Sequence, residues 1–350
     1  MVTSGPQVSG SRLASRFGLN DRVFATPAAR RLVGKIEAGL ERVEEQLAGD
    51  LHSTDELVDA TARYLYEAGG KRVRPMLAML SSQLGDGATD GVVKAARALE
   101  LTHLGSLYHD DVMDEADRRR GVASAHAVWG NSIAILTGDV LFSRASVLMA
   151  ELGPEAMKLQ AETFERLVLG QMHETIGAGE TDDPIEFYIR VLSDKTGSLI
   201  AAAAHAGALF SGADGRFHQP LRTFGEKVGV AFQLMDDVID LSADPAETGK
   251  VPGTDLRAGV PTMPYLLLGE ADPALKARID DGVARIADGA APAILDDCVE
   301  ILRDHIVTAR TRELATSWAN EATAALEPLP RGGVREALTR FAGTLVDRDS

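Results

Sequence analysis

Apolar residues recur at helical spacing along most of this chain. From residue 26 onward they return every three or four positions, which places them on one face of a helix. Thr26-Pro27 marks a helix start, and Ser53 with Glu56 has the spacing of a capping box. The Gly69-Gly70 pair ends a helix. The pattern predicts helices over residues 28–47, 53–68, 76–84, 90–116, 131–152, 155–177, 185–210, 216–241, 261–268, 273–287, 293–326 and 333–346.

The fold predicted from this pattern is all-α. No stretch shows the alternation of a half-buried strand, and no linker rich in Pro, Gly or Ser divides the chain. We therefore expect a single helical domain over residues 26–350, preceded by a flexible tail over residues 1–25, which are rich in Ser, Gly and Arg. Residues 133–141 and 199–210 are apolar nearly all round, which is typical of helices at the centre of a bundle.

Composition narrows the classes of partner. The chain has 36 Lys and Arg against 52 Asp and Glu, a formal net charge of −16, which argues against nucleic acid and favours cations. The most apolar run, residues 199–210, is too short to span a membrane and contains His205, so no transmembrane segment is expected. The single cysteine, Cys298, cannot form an internal disulfide, which indicates a cytoplasmic protein.

Paired aspartates are the most informative polar feature. Five Asp-Asp pairs occur, beginning at residues 110, 182, 236, 280 and 296. In an acidic protein such pairs usually cap helices or face solvent. Only the pairs at 110 and 236 have a further aspartate four residues after the first, at Asp114 and Asp240, and both lie in apolar helical stretches. Positions i and i+4 share a helix face, so Asp110 lies beside Asp114 and Asp236 beside Asp240.

These two clusters predict binding of Mg²⁺. Several carboxylates near a core repel one another and are costly to bury without cations. Magnesium takes carboxylate oxygens together with water and substrate phosphate. Two basic segments, residues 70–75 and 118–121, each follow a helix or an Asp cluster and supply the positive charge that the rest of a phosphate needs. Each basic segment taken alone would be explained as ordinary salt-bridging surface.

Taken together, the motifs resemble those of the trans-prenyl (polyprenyl) diphosphate synthases in order and spacing from about residue 28 to the C-terminus. The matching segments are Gly69-Gly70-Lys71-Arg72-Val73-Arg74-Pro75, Glu100-Leu101-Thr102-His103, His109-Asp110-Asp111-Val112-Met113-Asp114, Arg119-Arg120-Gly121, Lys195-Thr196, Phe232-Gln233-Leu234-Met235-Asp236-Asp237 and Gly249-Lys250. One departure is Val260, where the family often has a second lysine.

The resemblance implies a bundle of long antiparallel helices around a central cavity, in a homodimer. It implies head-to-tail condensation of isopentenyl diphosphate with an allylic diphosphate, with release of pyrophosphate. Metal binding would fall to Asp110, Asp111, Asp114, Asp236 and Asp240. Arg119 and Lys195 would contact the allylic diphosphate, and Lys250 would neutralise phosphate charge. Lys71, Arg74, His103 and Arg120 would bind isopentenyl diphosphate, and Thr196 and Gln233 would face the developing cation.

The residues before the first cluster bear on product length. Short-chain members of the family tend to carry aromatic residues four and five positions before Asp110, where this chain has Ser106 and Gly105. The resemblance therefore implies a product longer than C20, in the C30–C50 range of a quinone side chain. The growing product would occupy a tunnel beside these residues, and the ring of Tyr108 could also face that tunnel. Alternatively, Gly105 only permits close helix packing.

Three other functions stay open at this point. A geranylgeranyl or farnesyl diphosphate synthase would differ only in product length. A class I terpene cyclase shares the fold and the first Asp motif but lacks a second substrate site like that at Lys71 and Arg74. A non-catalytic subunit of a heteromeric synthase would be expected to carry a damaged Asp cluster, and both clusters here are intact.

Overall fold

The structure is a computed structural model, and it describes residues 26–242 and 251–347. The predicted N-terminal tail and Lys250 lie outside the described residues. The helices are α1 Pro27–Asp50, α2 Glu56–Glu67, α3 Val73–Ser82, α4 Asp90–Met113, α5 Ala125–Trp129, α6 Asn131–Ala150, α7 Pro154–Ile176, α8 Pro184–Leu192, α9 Ser198–Phe210, α10 His218–Ser242, α11 Thr254–Arg257, α12 Met263–Ala271, α13 Pro273–Ala287, α14 Asp296–Arg303, α15 Ile306–Ala325 and α16 Gly333–Val346.

The all-α prediction is confirmed, with three short additions to the helices. A π-helix, Ser193–Gly197, joins α8 to α9, and 3₁₀ turns cover Gly215–Phe217 and Pro292–Leu295. In the described part of the chain, the strands are β1 Arg118–Arg119 and β2 Val122–Ala123, which pair antiparallel. The predicted continuous helix over residues 185–210 is therefore interrupted at its centre.

Local sequence accounts for several helix starts. Thr26 caps α1 by accepting a hydrogen bond from the Ala29 N–H at 3.2 Å. The capping box predicted from Ser53 is wrong, because Asp55 caps α2 instead and accepts from the N–H groups of Leu57 and Val58. A carboxylate adjacent to the helix is a good acceptor for those first N–H groups and also complements the helix dipole.

Contacts divide the described chain into two compact units. Unit 1 holds residues 26–165, 199–225 and 325–341, and unit 2 holds residues 166–198, 226–242, 251–324 and 342–347. In unit 1, α4 approaches α6 closely at two glycines. A Cβ atom on Gly105 would lie 3.0 Å from the Phe142 ring and 3.1 Å from the carbonyl oxygen of Gly138. Gly207 of α9 likewise lies against the main chain of Ala78 in α3.

The core of unit 2 is built from α10 and the helices that follow it. Leu234, Leu268, Ile279, Leu302 and Val307 are all fully buried in one apolar cluster. This cluster surrounds the turn of α10 that carries the second aspartate segment, and so holds that segment on a rigid element.

Helix α6 departs from the expected central position. Residues 199–210 are largely buried as predicted, whereas Ile135 and Leu136 are 41% and 57% exposed and Val147 is 56% exposed. Residues 131–150 have the length and composition of a membrane span. However, α6 packs its Gly138 side against α4 as a core helix does, so we do not assign a span. Within the single chain, α6 keeps an exposed apolar face.

Candidate active site

The first aspartate segment forms the C-terminal end of α4. Asp111 is fully buried, Asp110 is half-buried and Asp114 is exposed. The predicted continuation of the helix to residue 116 is wrong, because Glu115 adopts a left-handed conformation with φ of 49°. The Ala116 N–H then donates to the Asp111 carbonyl oxygen at 3.0 Å, as in a Schellman ending. The third aspartate is thus the capping residue of the helix.

This position makes the carboxylates a suitable place for a cation. The C-terminal end of a helix carries partial negative charge, so Asp110, Asp111 and Asp114 stand where anions are disfavoured. Burial raises the pKa of Asp111, and the neighbouring Arg119 opposes that rise. One carboxylate oxygen of Asp111, Oδ2, is buried without a hydrogen-bond partner. The carboxylate oxygens and the unfavourable local charge both fit Mg²⁺.

A β-hairpin brings two arginines back to the end of α4. Strands β1 and β2 are joined by Arg120-Gly121, whose φ angles of 51° and 81° are those of a type I′ turn. Arg119 donates through Nε to Asp111 Oδ1 at 2.6 Å. Arg120 donates to the carbonyl oxygens of Leu65, at 2.7 Å, and Gly69. The tight turn therefore separates two neighbouring arginines, one facing the carboxylates and one facing the end of α2.

The basic loop before α3 contains one arginine with a structural role. Arg72, in a left-handed conformation with φ of 53°, is ion-paired with Glu44 at 2.5 Å and with buried Glu100 at 3.4 Å. Its guanidinium group also lies 4.8 Å from the centre of the Tyr66 ring. A Cβ atom on Gly70 would lie 2.6 Å from this guanidinium group, so a larger residue there would displace it. Glu100, together with Glu44 and Tyr66, which the sequence did not single out, fixes the loop that carries Lys71 and leads to Arg74 at the start of α3.

Positive charge converges on His103. Burial lowers the pKa of His103 well below its usual value, and the charges of Arg74, Arg120, Arg72 and Arg119 lower it further. The half-buried Arg74 has a pKa lowered to about 10 by burial, with Glu100 opposing and Arg120 adding to the effect. Its Nε atom is buried without a hydrogen-bond partner. A neutral imidazole among guanidinium groups, with a donor unused, is a setting that stabilises a phosphate group.

The predicted chain-length residues lie in the buried part of α4. Gly105 faces the Phe142 ring, which supports the alternative that it permits close packing. Ser106 is 7% exposed and donates to the carbonyl oxygen of His103 at 2.9 Å. Tyr108 is fully buried, and its hydroxyl is bonded to the backbone of Thr61 and Leu65 in α2. The Tyr108 ring therefore packs between α2 and α4.

The second aspartate segment lies within α10 in unit 2. Asp236 and Asp240 are half-buried, whereas Asp237 is buried. Its carboxylate oxygens lie 3.0 and 2.9 Å from the Tyr188 hydroxyl, and Oδ2 accepts from the Met263 N–H at 3.0 Å. Burial raises the pKa of Asp237 well above its usual value, and these two hydrogen bonds oppose the rise. In both segments the middle aspartate is thus buried and partnered, and the outer two are more accessible.

The residues after α10 return to Asp240. The Gly253 N–H donates to the Asp240 carbonyl oxygen at 2.8 Å, and the Asp255 N–H donates to Oδ2 of Asp240 at 3.2 Å. Gly253 has a φ of 69°, in the left-handed region that favours glycine. These contacts fix the chain just after the stretch that contains Lys250.

A π-helix carries Lys195 and Thr196. Extra-residue turns of this kind occur mainly at functional sites. Arg166 spans the turn, with Nε 2.7 Å from Asp194 and a terminal nitrogen 3.1 Å from Glu226. Lys195 is ion-paired with Glu174. Gln233 lies on α10 three residues before Asp236, and therefore on a neighbouring part of the same helix face.

The predicted residues thus fall into two groups. Unit 1 brings Arg119 to Asp111 and gathers Arg74 and Arg120 around His103. Unit 2 contains Lys195, Thr196, Gln233, Asp236 and Asp240. Among residues 26–242 and 251–347, no three His, Cys, Asp or Glu side chains are gathered closely enough to hold a metal by themselves.

Comparison with known proteins points to one family. The polyprenyl synthetase family model matches residues 55–302. The chain is 42% identical over 335 residues to a nonaprenyl diphosphate synthase of Mycobacterium tuberculosis, covering 94% of this chain and 96% of that protein. It is 33% identical to an octaprenyl diphosphate synthase of Escherichia coli, covering 89% and 99% of the two chains.

Solved structures of similar fold belong to prenyl diphosphate synthases as well. A polyprenyl synthase from Caulobacter crescentus CB15, complexed with calcium and isoprenyl diphosphate, superposes with a TM-score of 0.84 at 32% identity, covering 92% of this chain and 98% of that one. A geranylgeranyl pyrophosphate synthase from Corynebacterium glutamicum superposes with a TM-score of 0.78 at 41% identity, over 92% and 98%. The family match over more than half of the sequence, these relatives and the shared fold show that the chain belongs to the polyprenyl synthetase family.

Proposed function

We propose that this protein is a Mg²⁺-dependent trans-prenyltransferase. It condenses isopentenyl diphosphate head to tail with an allylic diphosphate and forms a prenyl diphosphate longer than C20, in the C30–C50 range. The observation that carries the proposal is the pairing of metal-type aspartates, Asp110 and Asp114, with an arginine-rich pocket around His103 in the same unit. Carboxylates suit a cation, and buried guanidinium groups suit a diphosphate.

The chemistry requires stabilisation of a departing anion. The allylic C–O bond breaks and pyrophosphate leaves with the electron pair. Asp110, Asp111 and Asp114 of unit 1, and Asp236 and Asp240 of unit 2, would each hold Mg²⁺, which would supply Lewis-acid stabilisation of that charge. Arg119 and Lys195 hold the diphosphate oxygens, and Lys250 neutralises their charge. Oxygens of Thr196 and Gln233 face the allylic cation. The double bond of isopentenyl diphosphate then forms the new C–C bond, and the released pyrophosphate takes the proton that is lost.

The second substrate belongs to the arginine-rich pocket. Lys71, Arg74, His103 and Arg120 bind isopentenyl diphosphate in this proposal. His103 stays neutral because burial and the surrounding guanidinium charges lower its pKa, so it acts as a hydrogen-bonding group. Glu100 balances part of the positive charge, since it is buried and ion-paired with Arg72. The positive charges around His103 are therefore already gathered in the chain itself.

Product length is supported by two kinds of observation. Relatives of this chain are named nonaprenyl and octaprenyl diphosphate synthases. In the chain itself, Ser106 is small, and the Tyr108 side chain packs against α2, to whose backbone its hydroxyl is bonded. A shorter product remains the second candidate, because a geranylgeranyl pyrophosphate synthase of 41% identity shares the fold.

Assembly and location complete the proposal. Residues 26–350 act as one catalytic domain in a cytoplasmic homodimer, for which the exposed apolar face of α6 supplies a surface: Ile135, Leu136 and Val147 are each more than 40% exposed. Family membership favours a synthase over a terpene cyclase. The intact aspartate clusters favour a catalytic chain over a non-catalytic subunit.

The test is incubation of the purified chain with labelled isopentenyl diphosphate, Mg²⁺ and a C10, C15 or C20 primer. We expect polyprenyl diphosphates longer than C20 and equimolar pyrophosphate per added unit, with no product when Mg²⁺ is chelated. Accumulation of C15 or C20 product would favour the second candidate. Hydrocarbon formed from the primer without isopentenyl diphosphate would indicate a cyclase.

A further inference from the structure

We propose that Tyr188 is a positioning residue for the second aspartate segment: it holds Asp237 in the core and thereby orients Asp236 and Asp240 toward a metal ion. The inference rests on the proposed function, since it assigns those two aspartates to metal binding. It concerns a residue of α8, outside both aspartate clusters.

The contact joins three helices. Asp237 belongs to α10, Tyr188 to α8 and Met263 to the first turn of α12. The Asp237 carboxylate accepts hydrogen bonds from two groups. The Tyr188 hydroxyl lies 3.0 and 2.9 Å from its two oxygens, and the Met263 N–H donates to Oδ2 at 3.0 Å. Thr262, the capping residue of α12, makes no side-chain capping bond. Asp237 therefore caps α12 from a neighbouring helix, which the N-terminal end of a helix dipole favours.

Fixing Asp237 fixes the rotation of α10 about its axis. Successive residues on a helix point about 100° apart, so a carboxylate locked into the core determines where its neighbours point. Asp236 and Asp240 are half-buried and point about 100° and about 60° away from Asp237 around the helix axis. Without the hydroxyl, the buried carboxylate would keep only one donor, and an under-bonded buried carboxylate tends to turn toward water. Such a turn would rotate Asp236 and Asp240 as well.

Tyr188 also lies on the helix that leads into the π-helix of unit 2. Helix α8 runs directly into the π-helix that carries Lys195 and Thr196. The Tyr188–Asp237 contact therefore ties the aspartates of α10 to the helical run that carries the predicted diphosphate contact. A residue that served packing alone would not need the hydroxyl, because the Tyr188 ring already lies in the apolar cluster of unit 2.

Removal of that hydroxyl is the direct test. Tyr188→Phe keeps the ring and deletes the donor. Tyr265→Phe is a matched control, because the Tyr265 hydroxyl donates to Asp280 at 2.5 Å in the same unit and outside both clusters. Binding of Mn²⁺, as a paramagnetic substitute for Mg²⁺, is measured by electron paramagnetic resonance in the presence of inorganic pyrophosphate. Thermal unfolding without metal is recorded for each variant.

We expect Tyr188→Phe to weaken Mn²⁺ binding by about 10-fold or more, the effect typical of losing a partner that orients a metal ligand. Tyr265→Phe should bind Mn²⁺ as the unmodified chain does. Mn²⁺ binding by Tyr188→Phe equal to that of the unmodified chain, even with a lower melting temperature, would overturn the proposal and leave Tyr188 a packing residue.

A second variant covers the case in which Tyr188→Phe does not fold. Asp237→Ala removes the carboxylate that accepts hydrogen bonds from both the Tyr188 hydroxyl and the Met263 N–H. The same loss of Mn²⁺ affinity is expected, and unchanged affinity would refute the positioning role. The unmodified chain tests the proposed function separately. If it binds no Mn²⁺ in the presence of pyrophosphate, the assignment of Asp236 and Asp240 to metal binding is wrong.

Discussion

The Nε atom of Arg119 lies 2.6 Å from Oδ1 of Asp111, whose carboxylate is fully buried at the end of α4. Burial raises the pKa of this carboxyl group, and the arginine is the main opposing influence. The contact links the first aspartate segment to the hairpin that also places Arg120 in the pocket around His103. Two consecutive residues therefore supply positive charge to two places: Arg119 to the first aspartate segment and Arg120 to the surroundings of His103.

Replacing this arginine should affect both stability and catalysis. Arg119→Ala leaves Asp111 buried without its ionic partner, and we expect the free energy of unfolding to fall by about 1–3 kcal/mol, less than for a fully buried pair because Arg119 is 31% exposed. Turnover should fall further than stability accounts for. Urea unfolding and kcat are the measurements. Arg312→Ala, at an exposed position on α15, is the control. Equal unfolding free energies would contradict a stabilising ion pair.

Binding of isopentenyl diphosphate should depend on Arg74. Its half-buried guanidinium group has an unused donor and faces the pocket of His103. For Arg74→Ala we expect the KM for isopentenyl diphosphate to rise by about 10-fold or more, as for the loss of a charged hydrogen bond. The KM for the allylic substrate should change much less. A rise confined to the allylic KM would place Arg74 in the other substrate site.

A bulky residue before the first cluster should have different effects at two adjacent positions. Ser106→Phe is expected to shorten the product, as the family resemblance implies. Gly105→Phe should instead destabilise the chain, because even a Cβ there lies 3.0 Å from the Phe142 ring. Overpacking of this kind costs about 1–3 kcal/mol or more. Product chromatography and thermal unfolding separate the two effects, and a stable Gly105→Phe enzyme with shorter products would restore Gly105 as a tunnel residue.

Acid sensitivity should arise in part from His205. Burial, together with the charges of the neighbouring His218 and Arg222, lowers the pKa of His205 to about 4. The unfolded chain, with a histidine pKa near 6.5, binds the proton more tightly than the folded chain. Stability from this residue is therefore present above pH ~6.5 and is lost as the pH falls toward ~4. His205→Gln should show a shallower loss of unfolding free energy over that range. An identical pH profile would exclude the effect.

Sequence predicted the helices well because their periodicity and caps are local. Thr26-Pro27 starts α1 as expected. Errors arose where tertiary contacts override local signals. The π-helix at residues 193–197 accompanies ion pairs of Arg166 with Asp194 and Glu226, which are 28 and 60 residues away. The helix end at Met113 depends on a left-handed Glu115, a conformation that its residue type does not predict.

The predicted site was visible as a set of residue types, but not as a set of contacts. Spacing alone singled out Asp110 with Asp114 and Asp236 with Asp240. It could not show that Arg72 is held by Glu44 and Glu100, since each lies 28 residues away in sequence. It also gave no reason for Asp237 to be buried against Tyr188, 49 residues earlier. Such partners are selected by how helices pack, and single-sequence periodicity does not contain that information.

The most direct test of the account is the turnover of aspartate-to-asparagine variants with isopentenyl diphosphate, an allylic primer and Mg²⁺. Asp110→Asn and Asp236→Asn remove a charge from each cluster, whereas Asp297→Asn alters an exposed Asp-Asp pair that lacks a third aspartate. We predict that kcat falls by about 100-fold or more in the first two, as for loss of electrostatic stabilisation of a departing anion, and is unchanged in the third. Wild-type turnover in Asp110→Asn and Asp236→Asn would contradict the assignment of these segments to metal-assisted diphosphate chemistry.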